Sequence, residues 1–382
     1  MASPRRNLAQ RRRAVGLSQE GLAEQLGVDR STVGRWETGQ TEPVPWVRPL
    51  LAIALSITAD EVDQLLAPSA PDEQLAYAID HPRSVDLVAV AQMREQIEKL
   101  DVSYDQKPST ALLPAVGQRL GEVTSLRTHA TRTRVRRELL AVEAEAALLM
   151  GQLVWDASQR RDHPNARTYF AHARWAAQQV GNPVMEGLAL LRTSFVALYG
   201  DGDPRTGLEL ASQAAEVAQQ SSHVVTGLGI LHASEAHAMG GRRQECERGL
   251  RLAEIEFDRI GTNDAAFDAY SPTQHGRLAG SCYLYLDDAK RAQPILESTA
   301  AALRGRSKSQ AIVQANLALA LLRQRRVDEA TAALHRAIDI VSTTRGGGGL
   351  NLIFEAGLEL RPWRQVPEVQ DVHDRLLELM AS

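Results

Sequence analysis

Four side chains within six residues, Arg30, Ser31, Thr32 and Arg35, are of the types that read the edge of a base pair. A guanidinium fork donates two parallel hydrogen bonds to O6 and N7 of guanine, and small hydroxyls fit beside it. Such reading needs a rod narrow enough for the major groove, with these residues on its outer face near its N-terminus. The flanking sequence supplies one. Ser18 is placed to N-cap a helix, its hydroxyl accepting an N–H of the first turn. Leu22, Ala23 and Leu26 recur at helical spacing, and Gly27 ends the run where a positive φ is needed. Asp29 caps a second helix in which Val33 and Trp36, three apart, turn inward and leave the four polar residues outward. Gly34, mid-helix, departs from good helix formers by about 1 kcal/mol.

The ordered set Gln19, Leu22, Ala23, Leu26, Gly27, Val33, Trp36, Glu37, Gly39 and Pro43 closely resembles the helix-turn-helix of the phage-repressor (XRE, or Cro/C1-type) family. The resemblance spans Leu8 to about Leu66. It implies that Gln19, helped by Ser18, bonds a phosphate, and that Arg30, Ser31 and Arg35, with Thr32 beside them, read bases. It places Thr38, Gln40 and Thr41 against the DNA backbone. It also implies an ion pair between Arg12 and Glu37 that braces the first helix against the third, a structural role.

With 382 residues the chain has room for two or three domains and a large core. Its formal charge of −4 excludes a uniformly basic nucleic-acid wrapper; the positive charge is local, with Arg5, Arg6, Arg11, Arg12 and Arg13 in the first helix. Two cysteines, Cys246 and Cys282, give no disulfide framework or metal spacing and point to a reducing compartment. Met1 to Arg13 lacks the apolar core of a signal peptide, and no apolar run reaches membrane-spanning length, so a cytoplasmic protein with no membrane partner is expected. Scarce aromatics and abundant Ala, Leu and Arg favour an all-α fold.

Four regions follow from the punctuation. Residues 1–67 form the DNA-binding domain of five short helices. Residues 68–130 hold a linker at Pro68–Pro71 and a helical connector with a candidate dimer surface. Within it Ser84 is expected to cap a helix to about Asp101, and a helix pair to fill Ala111–His129. Across 131–345 small residues recur at Ala166, Gly207, Cys246, Ala292 and Ala330. Each is followed four residues on by Phe170, Ala211, Leu250, Leu296 and Leu334, and seven on by Ala173, Ala214, Ala253, Thr299 and Ala337. Small residues let paired helices approach, and such pairs must stack to bury their faces. Residues 346–382 are read as capping helices, entered through a flexible Gly346–Gly349 connection that lacks the Lys and Ser/Thr of a phosphate loop.

The repeat resembles a tetratricopeptide-repeat (TPR) array, best matched at Gln314–Ala337, although spacings of 41, 39, 46 and 38 residues exceed the usual ~34. That resemblance implies a concave α-solenoid groove lined by the first helix of each pair. Its ligand-facing positions fall on Gln152, Trp155 and Gln159; Arg192, Thr193 and Tyr199; His232 and Glu235; Gln274, Arg277, Ser281 and Tyr285; and Asn316 and Arg323. Asn316 stands where peptide-binding relatives place an asparagine.

Catalysis is not expected. His232 and Glu235 share a helix face but His237 lies off it, so no metal site is assigned, and no cofactor is implied. Cys246 and Cys282 sit at packing positions of the repeat, and the basic run Arg127, Arg132, Arg134, Arg136 and Arg137 reads as a solvated face. The sequence therefore points to a transcriptional regulator that binds operator DNA as a homodimer and senses a peptide, small molecule or partner in its groove. The alternative is a TPR protein-interaction adaptor anchored to DNA by its head. The Ala- and Arg-rich composition points to a bacterial source.

Overall fold

The computed structural model describes residues 6–37, 40–66, 71–303, 305 and 307–381. All regular elements among them are helical, and none is long and apolar enough to cross a membrane. The chain divides into two compact units, Met1–Gln92 and Met93–Ser382.

The first unit contains α1 (Arg6–Ala14), α2 (Gln19–Leu26), α3 (Arg30–Glu37), α4 (Arg48–Leu55), α5 (Ala59–Leu66) and α6 (Pro71–Asp80). Local signals set the ends. Ser18 Oγ accepts the Gly21 N–H at 2.9 Å, and Gly27 closes α2 at φ +67°. Thr58 and Glu61 cap each other's backbone N–H at the start of α5. Leu8, Leu22, Leu26, Val33, Trp36, Val47, Leu51, Leu55 and Val62 share one core.

The second unit opens with α7 (Leu87–Val102), which begins just before the boundary, and α8 (Ser109–His129). Two expectations change here. Ser84 lies in a 3₁₀ turn, Pro82–Ser84, and donates to the His81 carbonyl, so Asp86 caps α7 instead, accepting the N–H groups of Val88 and Ala89. The stretch expected to hold a helix pair is one 21-residue helix. Pro114 falls so early in α8 that its missing N–H forfeits a single bond, and Gly117 and Gly121 remain helical.

Helix pairs then follow in series: α9 (Thr133–Ala157) with α10 (His163–Val180), α11 (Pro183–Val196) with α12 (Pro204–Ala218), and α13 (His223–Met239) with α14 (Arg243–Phe257). Next come α15 (Gln274–Tyr285) with α16 (Ala289–Ala302), α17 (Lys308–Arg323) with α18 (Val327–Thr344), and α19 (Gly347–Glu359) with α20 (Pro367–Ala381). The fold is a TPR-like α-solenoid. Asp162, Asn182, Asp203, Ser222, Asp288 and Ser307 cap the starts of these helices. Every repeated small position is buried, and the closeness is measurable: a Cβ on Gly207 would lie 2.2 Å from Leu198, and one on Gly280 2.4 Å from Leu296.

The glycine run is no flexible connection. Gly347, Gly348 and Gly349 form the buried first turn of α19, which packs against the end of α9 and the start of α17. A Cβ on Gly347 would sit 2.8 Å from the Asp156 carbonyl, and one on Gly349 3.0 Å from Ala311. Glycine is there for close approach. The Gly347 N–H donates to Asp156 Oδ1 at 2.8 Å, and Asp156 Oδ2 meets Lys308 Nζ at 2.8 Å and the Ser109 hydroxyl at 2.7 Å. Lys308 also donates to Ser109 Oγ, while Asp105 accepts from Ser309. Residues almost 200 positions apart thus lock the two ends of the solenoid together in a buried node.

Candidate functional site

In the first unit the geometry begins at Glu37. Its carboxylate is buried and accepts Arg12 Nε at 2.7 Å, Arg12 Nη2 at 3.3 Å and Gln19 Nε2 at 2.7 Å. Arg12 also donates to the Leu17 carbonyl at 2.7 Å. This bidentate pair is charge-assisted and satisfied on both sides, so it fixes the pitch of α3 against α1 and α2. With Val33 and Trp36 buried, Arg30, Ser31 and Arg35 are exposed and Thr32 half-exposed on the opposite face. Arg35 Nη2 donates to Thr32 Oγ1 at 3.1 Å. Gln40 and Thr41 are exposed just beyond α3, their N–H groups returning to the Arg35 carbonyl. Thr38 lies outside the described residues.

In the second unit the interior of the solenoid holds a cavity of about 440 Å³. Its walls come from the end of α9, the end of α11, α13, α15, α17 and α19. Leu198, Leu278, Leu284, Ile312, Leu319 and Leu352 make it apolar; Arg160, Arg277, Arg323, Asn316, Asn351 and Glu355 set polar groups among them. A π-helical turn, Ala197–Asp201, widens the end of α11 and carries Tyr199 into the wall.

Tyr199 heads a buried network. Its hydroxyl donates to Glu235 and lies 3.0 Å from His232 Nδ1, while the Ser281 hydroxyl donates to the other Glu235 oxygen at 2.7 Å. Burial and then the Glu235 charge push the Tyr199 pKa well up. Burial pulls His232 down against the opposing pull of Glu235. Burial opposes charge on Glu235 too, but bonds from His232, Tyr199 and Ser281 outweigh it and hold the carboxylate below its ordinary range. The site therefore keeps an ionised, fully occupied carboxylate beside a neutral imidazole whose Nε2 has no partner. Arg160 lies over the rings of Trp155 and Tyr199, at 4.8 and 5.3 Å from their centroids.

Residues 5–65 match the sequence model of the helix-turn-helix domain family. The head is a helix-turn-helix domain. No curated protein matches the chain. Among solved structures, the apo form of the quorum sensor NprR from B. thuringiensis is 13% identical, with 84% of this chain and 88% of that chain covered and a TM-score of 0.47. Bacillus thuringiensis PlcR in complex with the peptide PapR7 and DNA is 15% identical, covering 77% of this chain and 95% of that one at a TM-score of 0.34. A Rap protein complexed with competence and sporulation factor is 12% identical, with coverages of 81% and 98% and a TM-score of 0.45.

Within the helix-turn-helix domain all the described residues singled out from sequence are placed on or beside α2 and α3. In the solenoid, Tyr199, Glu235, Arg277, Ser281, Tyr285, Asn316 and Arg323 do line one cavity. The others lie elsewhere. Trp155 and Gln152 are buried behind the wall, as is His232, whose ring lies tilted against Phe195 at 4.2 Å between centroids. Thr193 bonds its own helix at Ala189, Gln274 accepts from Ser271, and Gln159 is exposed at the α9–α19 contact. Arg192 packs over Phe195 beneath the wall. Gly348, Asn351, Leu352 and Glu355 were missed because α19 was read as a cap, and Arg160, in the turn after α9, because groove positions were read only from the first helix of each pair; the four consecutive glycines were the signal of a tight approach. His237 bonds Arg242, and no set of three metal-ligating side chains occurs among the described residues. Of the basic run, Arg127 pairs with Glu143 and Arg137 donates to the Val180 carbonyl, so only part of it is a solvated face.

Proposed function

We propose that the protein is a sequence-specific transcriptional regulator: a dimer whose helix-turn-helix heads each read one half of a palindromic operator, with a ligand-sensing solenoid body. The observation that carries this reading is the three-way clasp of Glu37 on Arg12 and Gln19. It holds α3 so that Arg30, Ser31 and Arg35 stand free of the core and able to reach base edges. Gln19 gives one amide N–H to Glu37 and keeps its second for a phosphate, beside the first N–H groups of α2, whose positive dipole end suits an anion. Gln40 and Thr41 flank the same face. Val44, Trp46, Leu50 and Ile53 form an exposed apolar strip before and along α4, which supports a dimer contact.

The body's contribution is the cavity, whose size and apolar-to-polar mix suit a short peptide or a small organic ligand. A ligand that prefers one geometry of the body shifts the population of DNA-competent dimers. Selection of the full-length protein against random duplex DNA tests the reading. One enriched palindrome is expected; retention of sequences no better than bulk DNA sinks it.

A further inference from the structure

Among the described residues three guanidiniums line or back the cavity without a salt bridge, Arg192 feeling a carboxylate, Asp101, only at longer range. Among the described residues Arg160, Arg192 and Arg277 form no salt bridge and no side-chain hydrogen bond; Arg160 meets only the rings of Trp155 and Tyr199 and Arg192 that of Phe195, and Arg192 Nε is buried and unsatisfied. Arg323 differs, because Glu359 and the Leu284 carbonyl occupy it. Glu235, a buried carboxylate of the same wall, is spent on Tyr199 and Ser281. Arg192 and Arg277 also repel one another across the interior. Half-buried cations are rarely left without an anion in a folded protein, since ring faces offset only part of the desolvation cost. Around them stand Leu198, Leu278, Ile312, Leu319 and Leu352.

We propose that the cavity takes a ligand with an anionic head, carboxylate or phosphoryl, on an apolar body. Arg277 and Arg160 clasp the head, Arg192 strengthens the field behind them, and the leucines take the body. A planar fork matches both anions in two-point fashion. The inference rests on reading the cavity as the ligand site, and names what that ligand must carry.

The test is calorimetry on the full chain with octanoate, octyl phosphate and uncharged octanamide at matched ionic strength. The charged probes are expected to bind at least about tenfold more tightly than octanamide. Arg277→Gln abolishes that difference, Arg277→Lys keeps part of it, and Arg205→Gln on the exposed outer surface keeps it all. Preference for octanoate assigns a carboxylate source and preference for octyl phosphate a phosphoryl one; either supports the site. Equal binding of octanamide, undiminished discrimination in Arg277→Gln, or no saturable binding of a charged probe overturns it. Arg277 gives up no partner on substitution, so unliganded Arg277→Gln is expected to melt no lower than the parent; a lower melting temperature marks a structural role and also overturns the proposal. Selection of an operator by the same preparation shows that the regulator reading survives whichever way the anion falls.

Discussion

Gly34 and Gly347 are both helical glycines, yet an added methyl group meets opposite surroundings. At Gly34 the nearest atom to a Cβ is Gln19 Nε2, at an ordinary 3.9 Å, so Gly34→Ala should stabilise the head by about 1 kcal/mol through helix propensity. If Gly34→Ala folds better but binds operator worse, the glycine serves close approach to DNA. At Gly347, the first residue of α19, the methyl meets backbone, and Gly347→Ala should cost about 1–3 kcal/mol. Denaturant melts of the two variants should move in opposite directions. Arg35→Ala should weaken operator binding by about 1–3 kcal/mol and relax preference at one base pair, since it removes the two-point fork that Thr32 Oγ1 steadies at 3.1 Å. Unchanged selectivity in a competition assay refutes base reading by Arg35. Asn316→Ala, in the cavity wall, should leave unliganded DNA binding intact and blunt the response to ligand.

Elements whose ends are set by neighbouring residues were legible in the sequence: α2 carries its own cap and closing glycine, and α2 and α3 both show an inward stripe, although no side-chain bond from the expected cap Asp29 forms among the described residues. The helix pairs were legible too, because small residues at fixed spacing have one use in a stack. What could not be read was closure. Nothing local tells that Asp156 will meet Lys308 and Gly347, since that contact exists only after five helix pairs have accumulated their turn. Hence α19 passed for a cap, and half of the expected groove residues fell outside the cavity it completes. Lys308→Met should be costly, about 3 kcal/mol or more, because it strands a buried carboxylate. Faster amide exchange should appear at residues 105–109 and at the start of α19. A second joint lies at Glu143, held by His172, Arg127 and Thr124 between α8, α9 and α10. Burial works against its charge, but those bonds win and keep its pKa low. Its contribution is therefore full above the ordinary glutamate range and fades as pH falls through the lowered value. Glu143→Gln should flatten the acid limb of the stability curve; an unchanged limb removes Glu143 from that role.

At the scale of the whole molecule, a ligand that alters DNA affinity by some factor must have its own affinity altered by the same factor when DNA is bound. Titrating one anionic probe with and without operator measures that coupling from the cavity side. Equal affinities in both titrations mean that the body does not report to the head.

The lock at Asp156 also orders events during synthesis. Arg160, Tyr199 and Arg277 leave the ribosome well before Gly348 and Glu355, so the chamber lacks its last wall, α19, until nearly all of the second unit has been made. A message cut short before α19 yields a head already folded and a body that hears nothing. On the proposed reading, such a fragment would compete for operators without answering the ligand that the closed stack takes.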